Sequence, residues 1–234
     1  NVFYDSGAKW SPNGQEIIFD SQREGDPDIY LINADGSNET NLTNSWQGAS
    51  PSWSPNGQKI VFHGAGKYSS RSDIFVMDRD GSNLVNLTDS SANDNSPSWS
   101  PDGKTIAFYR GNIPEHNNDE IYIMNVDGSS IQRVTITAGA HANNYAPFWS
   151  PDGTKVAYRS NRPDGHSTRI YSINIDGSDE SLLKGGTSYV LVSQWDRTRT
   201  ITSPTSTSNA TPTKTHTPTM TPTGTLTPTP TPTP

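Results

Sequence analysis

Short apolar runs alternate with polar positions along most of this chain, and glycine, proline, asparagine or aspartate bounds each run. In one stretch, ASPSWS leads into the turn PNG and the run QKIVFHG. SDIFVMD, the turn RDGSN and LVNLT follow. β-branched and aromatic residues fill these runs, which predicts strands. No window keeps the apolar spacing of a helix. The order of runs repeats four times. The second strands are EIIFD, KIVFH, TIAFY and KVAYR, and the third are DIYLIN, DIFVMD, EIYIMN and RIYSIN. The fourth are ETNLT, LVNLT, IQRVT and ESLLK.

The repeat is punctuated by WSPNG or WSPDG, beginning at Trp10, Trp53, Trp99 and Trp149. Proline at Pro12, Pro55, Pro101 and Pro151 presets φ for the second position of a type I turn, and glycine follows. The later Asp-Gly pairs, from Asp35-Gly36 to Asp176-Gly177, suit tight hairpins with positive φ. Four antiparallel strands per unit of about 45 residues make a propeller blade. A blade buries both faces only by stacking on neighbours. The four tryptophans are therefore expected in equivalent buried slots between blades. Phe19, Phe62, Phe108 and Tyr158 mark a core position on the second strand, and Tyr30, Phe75, Tyr122 and Tyr171 mark its partner on the third.

The stretch PSWSPDGKTIAFYR followed by DEIYIMNVDGSS resembles the repeat of the TolB-like β-propellers. The resemblance implies an extracytoplasmic bacterial propeller that binds proteins or other ligands without doing chemistry, with a cell-envelope protein as partner. The family's namesake has six blades behind a small α/β domain. This chain shows four complete copies, at about 2–43, 47–88, 94–135 and 143–184. A fifth begins as TSYVLVSQWD, an extra strand over 187–195, and lacks the following turn. The expected fold is therefore all-β, an open or partial propeller of four-stranded antiparallel blades. Its end faces would invite self-association.

Composition bears on partners. The 234 residues carry a net charge of −7, and Arg197, Arg199 and Lys214 fall beyond the last repeat. A chain without a basic stripe is not a nucleic-acid binder. No apolar stretch approaches the roughly 18 residues of a membrane span, and there is no cysteine. Residues 197–234 become threonine- and proline-rich and are expected as a disordered linker or stalk.

Candidate chemistry is sparse. His63, His116, His141, His166 and His216 lack the spacing of a compact metal motif and read as ordinary surface histidines. His63 shares its repeat position with Asp20, Tyr109 and Arg159, and that variety reads as an exposed or edge face rather than a ligand set. GxSxG is absent. Asp5, Asp94 and Asn143-Asn144 precede inner strands, where Ca²⁺ ligation competes with turn capping. NLT at Asn41 and Asn86 matches the glycosylation sequon but recurs with the repeat, which favours a structural role. The sequence thus assigns no catalytic residue, no metal ligand and no cofactor. Binding is expected through the variable loops between second and third strands, at Arg23, Glu24, Lys67, Tyr68, Glu115, His116, Arg162 and His166. The alternative is the propeller domain of a larger secreted enzyme, prolyl-oligopeptidase-like or oligogalacturonate-lyase-like, whose catalytic part lies elsewhere.

Overall fold

A computed structural model describes residues 4–44, 46–66, 71–111, 118–137, 143–162 and 168–184. The first blade comprises β1 (Asp5–Trp10), β2 (Glu16–Ser21), β3 (Asp28–Asn33) and β4 (Thr40–Asn41). The second has β5 (Gly48–Trp53), β6 (Lys59–Gly64), β7 (Asp73–Asp78) and β8 (Val85–Asn86). The third has β9 (Asn93–Trp99), β10 (Thr105–Gly111), β11 (Glu120–Asn125) and β12 (Gln132–Arg133). The fourth has β13 (Asn144–Trp149), β14 (Lys155–Ser160), β15 (Arg169–Asn174) and β16 (Ser181–Lys184). Each blade is a separate antiparallel sheet with its strands in sequence order. The segment expected as an extra strand and the Thr/Pro-rich segment lie outside the described residues.

The WSPNG and WSPDG turns explain why the repeat keeps its serine. In each, the glycine N–H donates to the serine carbonyl, closing the turn. The serine Oγ accepts the N–H of the first residue of the next strand: Glu16, Lys59, Thr105 or Lys155, all at 2.9–3.0 Å. The same hydroxyl donates to Asn13, Asn56, Asp102 or Asp152. That side chain in turn takes a backbone N–H two residues on. Asparagine and aspartate both serve, because only one acceptor oxygen is used.

The Asp-Gly hairpins differ from expectation. Only the glycine has positive φ; Asp35, Asp80, Asp127 and Asp176 do not. The glycine N–H closes a type I turn onto the residue three back, such as Asn33 or Asp78, and the glycine then sits left-handed. Each aspartate instead accepts both the N–H and the Oγ–H of the serine two residues on, as at Ser37 and Ser129. This is the three-residue loop with a glycine bulge rather than the two-residue turn.

Three hydrophobic clusters occupy the three seams between consecutive blades. Ile18 and Ile29 of the first blade pack with Trp53, Ile60, Phe62, Phe75 and Met77 of the second. Val61, Ile74 and Val76 pack with Trp99, Ile106, Phe108 and Met124. Ala107, Ile121 and Val134 pack with Trp149, Val156, Tyr158, Tyr171 and Ile173. The paired aromatics of β2/β3, β6/β7, β10/β11 and β14/β15 stack with ring centroids 5.7–5.9 Å apart.

Trp53, Trp99 and Trp149 are 8%, 9% and 7% exposed, but Trp10 is 61% exposed. The expectation of four equivalent buried rings is corrected at Trp10. Its slot requires a preceding blade, and among the described residues no packing comparable to the three seams joins the fourth blade to the first. Glycines report the same asymmetry. A Cβ on Gly57, Gly103 or Gly153 would touch Pro12, Pro55 or Pro101 of the blade before it, whereas Gly14 faces open space.

Candidate functional site

The inner strands β1, β5, β9 and β13 pack in succession and flank one cleft of about 320 Å³. Its walls are Gly7, Lys9, Ser50, Pro51, Ser52, Ser96, Pro97, Ser98, Ala146, Pro147 and Phe148. Every inner strand is bulged there, with a register shift ahead of the tryptophan. The bulged residue is left-handed in each blade: Gly7, Ser50, Ser96 and Ala146, with φ between 49° and 65°. For serine and alanine this conformation costs on the order of 1 kcal/mol each. A bulge re-aims the strand and frees an N–H from the ladder.

Two of those N–H groups are caught by the preceding blade. Ser50 N–H donates to Asp20 Oδ1 at 3.1 Å, and Ser96 N–H reaches His63 Nδ1 at 3.4 Å. Ser6 Oγ–H also donates to Asp20. A Cβ on Gly7 would come within 2.3 Å of Asp20 Oδ1, so a side chain there would have to displace the carboxylate and would strain a φ of 65°. The position shared by Asp20, His63, Tyr109 and Arg159 is therefore buried or half-buried, which corrects its reading as an exposed face. Its residue type varies because each blade meets a different neighbour. Burial pushes the His63 imidazole down to about 4, against the opposing pull of the Asp20 charge. His63 is neutral at pH 7, with its proton on Nε2.

Behind the cleft, each of the first three blades buries an acid at the start of its third strand. Thr43 Oγ1–H donates to Asp28, and Asn41 Nδ2 donates to its other oxygen. On Asp73 only the amide half is repeated, by Asn86 Nδ2 at 3.0 Å, whereas Arg133 and Thr135 together hold both oxygens of Glu120. Thr43, Thr88 and Thr135 also accept the N–H of Ile29, Ile74 and Ile121 at 2.9 Å. Both NLT sequences thus serve the fold. Burial raises the Asp73 carboxyl, the Asn86 and Ser90 donors oppose this, and the Asp94 and Asp89 charges add to the rise.

The carboxylates weighed for Ca²⁺ turn to arginines of their own blades. Arg110 grips the fully buried Asp94 through Nε and Nη2 at 2.6 and 2.7 Å. Arg23 Nη2 lies 3.3 Å from Asp5. Asn144 donates to Glu120 and Thr137. No group of three or more His, Cys, Asp or Glu is disposed to hold a metal ion among the described residues.

Of the loop residues singled out by sequence, three are described. Arg23 stacks over Tyr30 at 4.5 Å and also pairs with Glu39. Arg162 stacks over Tyr171 at 4.1 Å and pairs with Glu180. Glu24 is exposed. Lys67, Tyr68, Glu115, His116 and His166 lie outside the described residues. Sequence reasoning missed the bulge residues of the cleft. The signal was a small residue before proline, at a fixed distance ahead of the tryptophan in SPSW, SPSW and APFW.

The cleft lining offers serine hydroxyls, backbone groups, prolines, Phe148 and the ammonium of Lys9. Among its described residues there is no carboxylate, histidine or thiol, hence no acid–base pair. Such a wall can hydrogen-bond and pack against a chain.

The family model of the Tricorn protease N-terminal β-propeller domain matches residues 67–222. The chain belongs to this propeller family. As a TolB-like propeller it superposes on a TolB-type protein of Agrobacterium tumefaciens with a TM-score of 0.68 and 27% identity, covering 76% of this chain and 64% of that one. TolB from Acinetobacter baumannii gives 0.64 and 24%, covering 77% and 43%. A prolyl endopeptidase shares the fold at 0.56 and 11%, covering 80% and 29%. The propeller thus spans less than two thirds of the length of each of these relatives.

Proposed function

We propose that this chain is a non-enzymatic binding propeller that works outside the cytoplasm and recognises a protein partner, a cell-envelope protein by its resemblance. The convergence of four bulged inner strands on one small-residue cleft carries this reading. The loops at Arg23, Glu24, Lys67, Tyr68, Glu115, His116, Arg162 and His166 would frame the contact, and residues 197–234 would tether the propeller. The exposed leading face around Trp10 is where copies would self-associate. Cross-linking of the full chain in cell-envelope extract, with mass spectrometry, should identify a partner. Two variants then test it: alanine at the five loop residues from Lys67 to His166 other than Arg162, and Ser96→Trp in the cleft. At least one should weaken binding tenfold; unchanged binding in both overturns the reading.

A second reading has a specific basis, because the matched family is described as the propeller of a protease. There the chain would be the non-catalytic domain of a larger secreted enzyme. Reading the gene around this segment tests it: a hydrolase or lyase domain in the same frame supports it, and further WSPDG copies oppose it.

A further inference from the structure

The three seams are built to one plan, yet their outer ends differ. At the first seam, the Arg79 guanidinium of the second blade reaches back to Glu16 of the first, with Nε 2.6 Å from the carboxylate and Nη2 on its other oxygen. This pair lies across the gap between the blades. At the second seam Lys59 stands where Glu16 stood, and Val126 stands where Arg79 stood. Lys59 turns to Asp78 of its own blade, 2.7 Å away. Among the described residues no such ion pair bridges the gap, and a groove of about 570 Å³ lies there, against about 450 Å³ beside the Glu16–Arg79 pair at the first seam. Its floor is apolar: Val76, Val85, Leu87, Val126 and the Trp99 ring. Val85 is 51% exposed in a place occupied by Thr40 in the first blade and Gln132 in the third.

The rim carries Asp102 and Asp127. In each, the internal hydrogen bonds fall on Oδ1. Asp102 Oδ1 takes Ser100 Oγ–H and Lys104 N–H, and Asp127 Oδ1 takes the N–H and Oγ–H of Ser129. The other oxygen of each is left available to a ligand. The serine hydroxyls hold both carboxyls below the usual carboxylate range. Lys59 pairs with Asp78 and the Lys104 charge offsets part of that of Asp102, so with Asp127 the groove presents an apolar floor under a rim of net negative charge. The volume falls within the range of about 300–1,000 Å³ typical of small-molecule sites.

We propose that this groove between the second and third blades is a binding site for a small organic cation, an apolar or aromatic body carrying one ammonium group. The body covers Val85, Leu87, Val126 and Trp99, and the ammonium meets Asp102 and Asp127. The site is separate from the cleft between the inner strands and does not depend on the function proposed for it.

Three probes of one shape and different charge test this on the full chain: 4-phenylbutylammonium, 4-phenylbutanol and 4-phenylbutanoate. Titration is followed by the NMR methyl signals of Val85, Leu87 and Val126. The ammonium should bind saturably and about tenfold more tightly than the carboxylate, with the alcohol between them. The double variant K59E/V126R transplants the pair that bridges the first seam and should abolish saturable binding. D102N, which places at this turn the asparagine already present at Asn13 and Asn56, should keep the fold and weaken the ammonium about threefold. Equal affinity for the three probes, tighter binding of the carboxylate, or unaltered ammonium affinity in D102N would overturn the proposal. If K59E/V126R does not fold, D102N and the charge series decide alone.

Discussion

An indole in this fold is stabilising only where another blade covers it. Burying a tryptophan ring removes about 150–250 Å² from water, roughly 4–6 kcal/mol as an upper value. Replacing Trp53, Trp99 or Trp149 with alanine should cost about 3–5 kcal/mol in urea unfolding, whereas Trp10→Ala should change stability by less than about 0.5 kcal/mol. His63 adds a pH term. In the unfolded chain its imidazole charges below about 6.5; in the fold it stays neutral to about 4. Between those values the unfolded state binds a proton that the folded state refuses. The stability that His63 contributes is present above pH 6.5 and is lost as the pH falls toward 4, by about 3 kcal/mol in all. His63→Tyr, the residue used at position 109, should flatten the stability profile over that window; an unchanged slope would place the acid sensitivity elsewhere. These residues also mark how far sequence could reach. The ring at Trp10 matches the other three letter for letter, and only its missing neighbour sets it apart. At Asp20, His63 and Tyr109, variety looked like exposure because the side chains answer to the next blade, which the repeat's own pattern does not encode.

At the scale of the strand, the turn between inner and second strands was legible and the bulge before it was not. Serine, proline and glycine in SPDG each have a stereochemical duty that names the turn. Serine and alanine have no such affinity for the left-handed region, so Ser50, Ser96 and Ala146 gave no local sign of the bulge they form. The glycine at Gly7 is the relaxed version of the same feature. Ser50→Gly and Ser96→Gly should therefore stabilise the protein by about 0.5–1 kcal/mol each, raising the urea midpoint at constant slope. Destabilisation by both would mean that the serine side chains hold the cleft more firmly than the backbone resists it. The apolar groove was also hidden in sequence, because it depends on Lys59 and Val126, which are far apart in the chain and meet only across a seam.

For the whole molecule, the seams make stability a sum of neighbour terms. The first blade has one described seam while the second and third have two, and β1 is exposed along its length. Amide exchange should accordingly be fastest in β1 among the four inner strands, with β5 and β9 protected to nearly the global unfolding free energy. Uniform protection across the four would show that the blades unfold as one unit. The four-blade count and the blade order were readable from the spacing of the tryptophans alone. The direction of the exposed end was not, since it takes coordinates to show that each ring leans on the copy before it.

The wedge of Pro12, Pro55 and Pro101 against Gly57, Gly103 and Gly153 repeats with one hand at every join. Each copy therefore carries both halves of the joint, a socket on one side and a plug on the other. Duplicating or deleting a copy in frame keeps this proline–glycine wedge at every join, so the number of copies can drift in evolution while the side chains around the wedge adjust to each new neighbour.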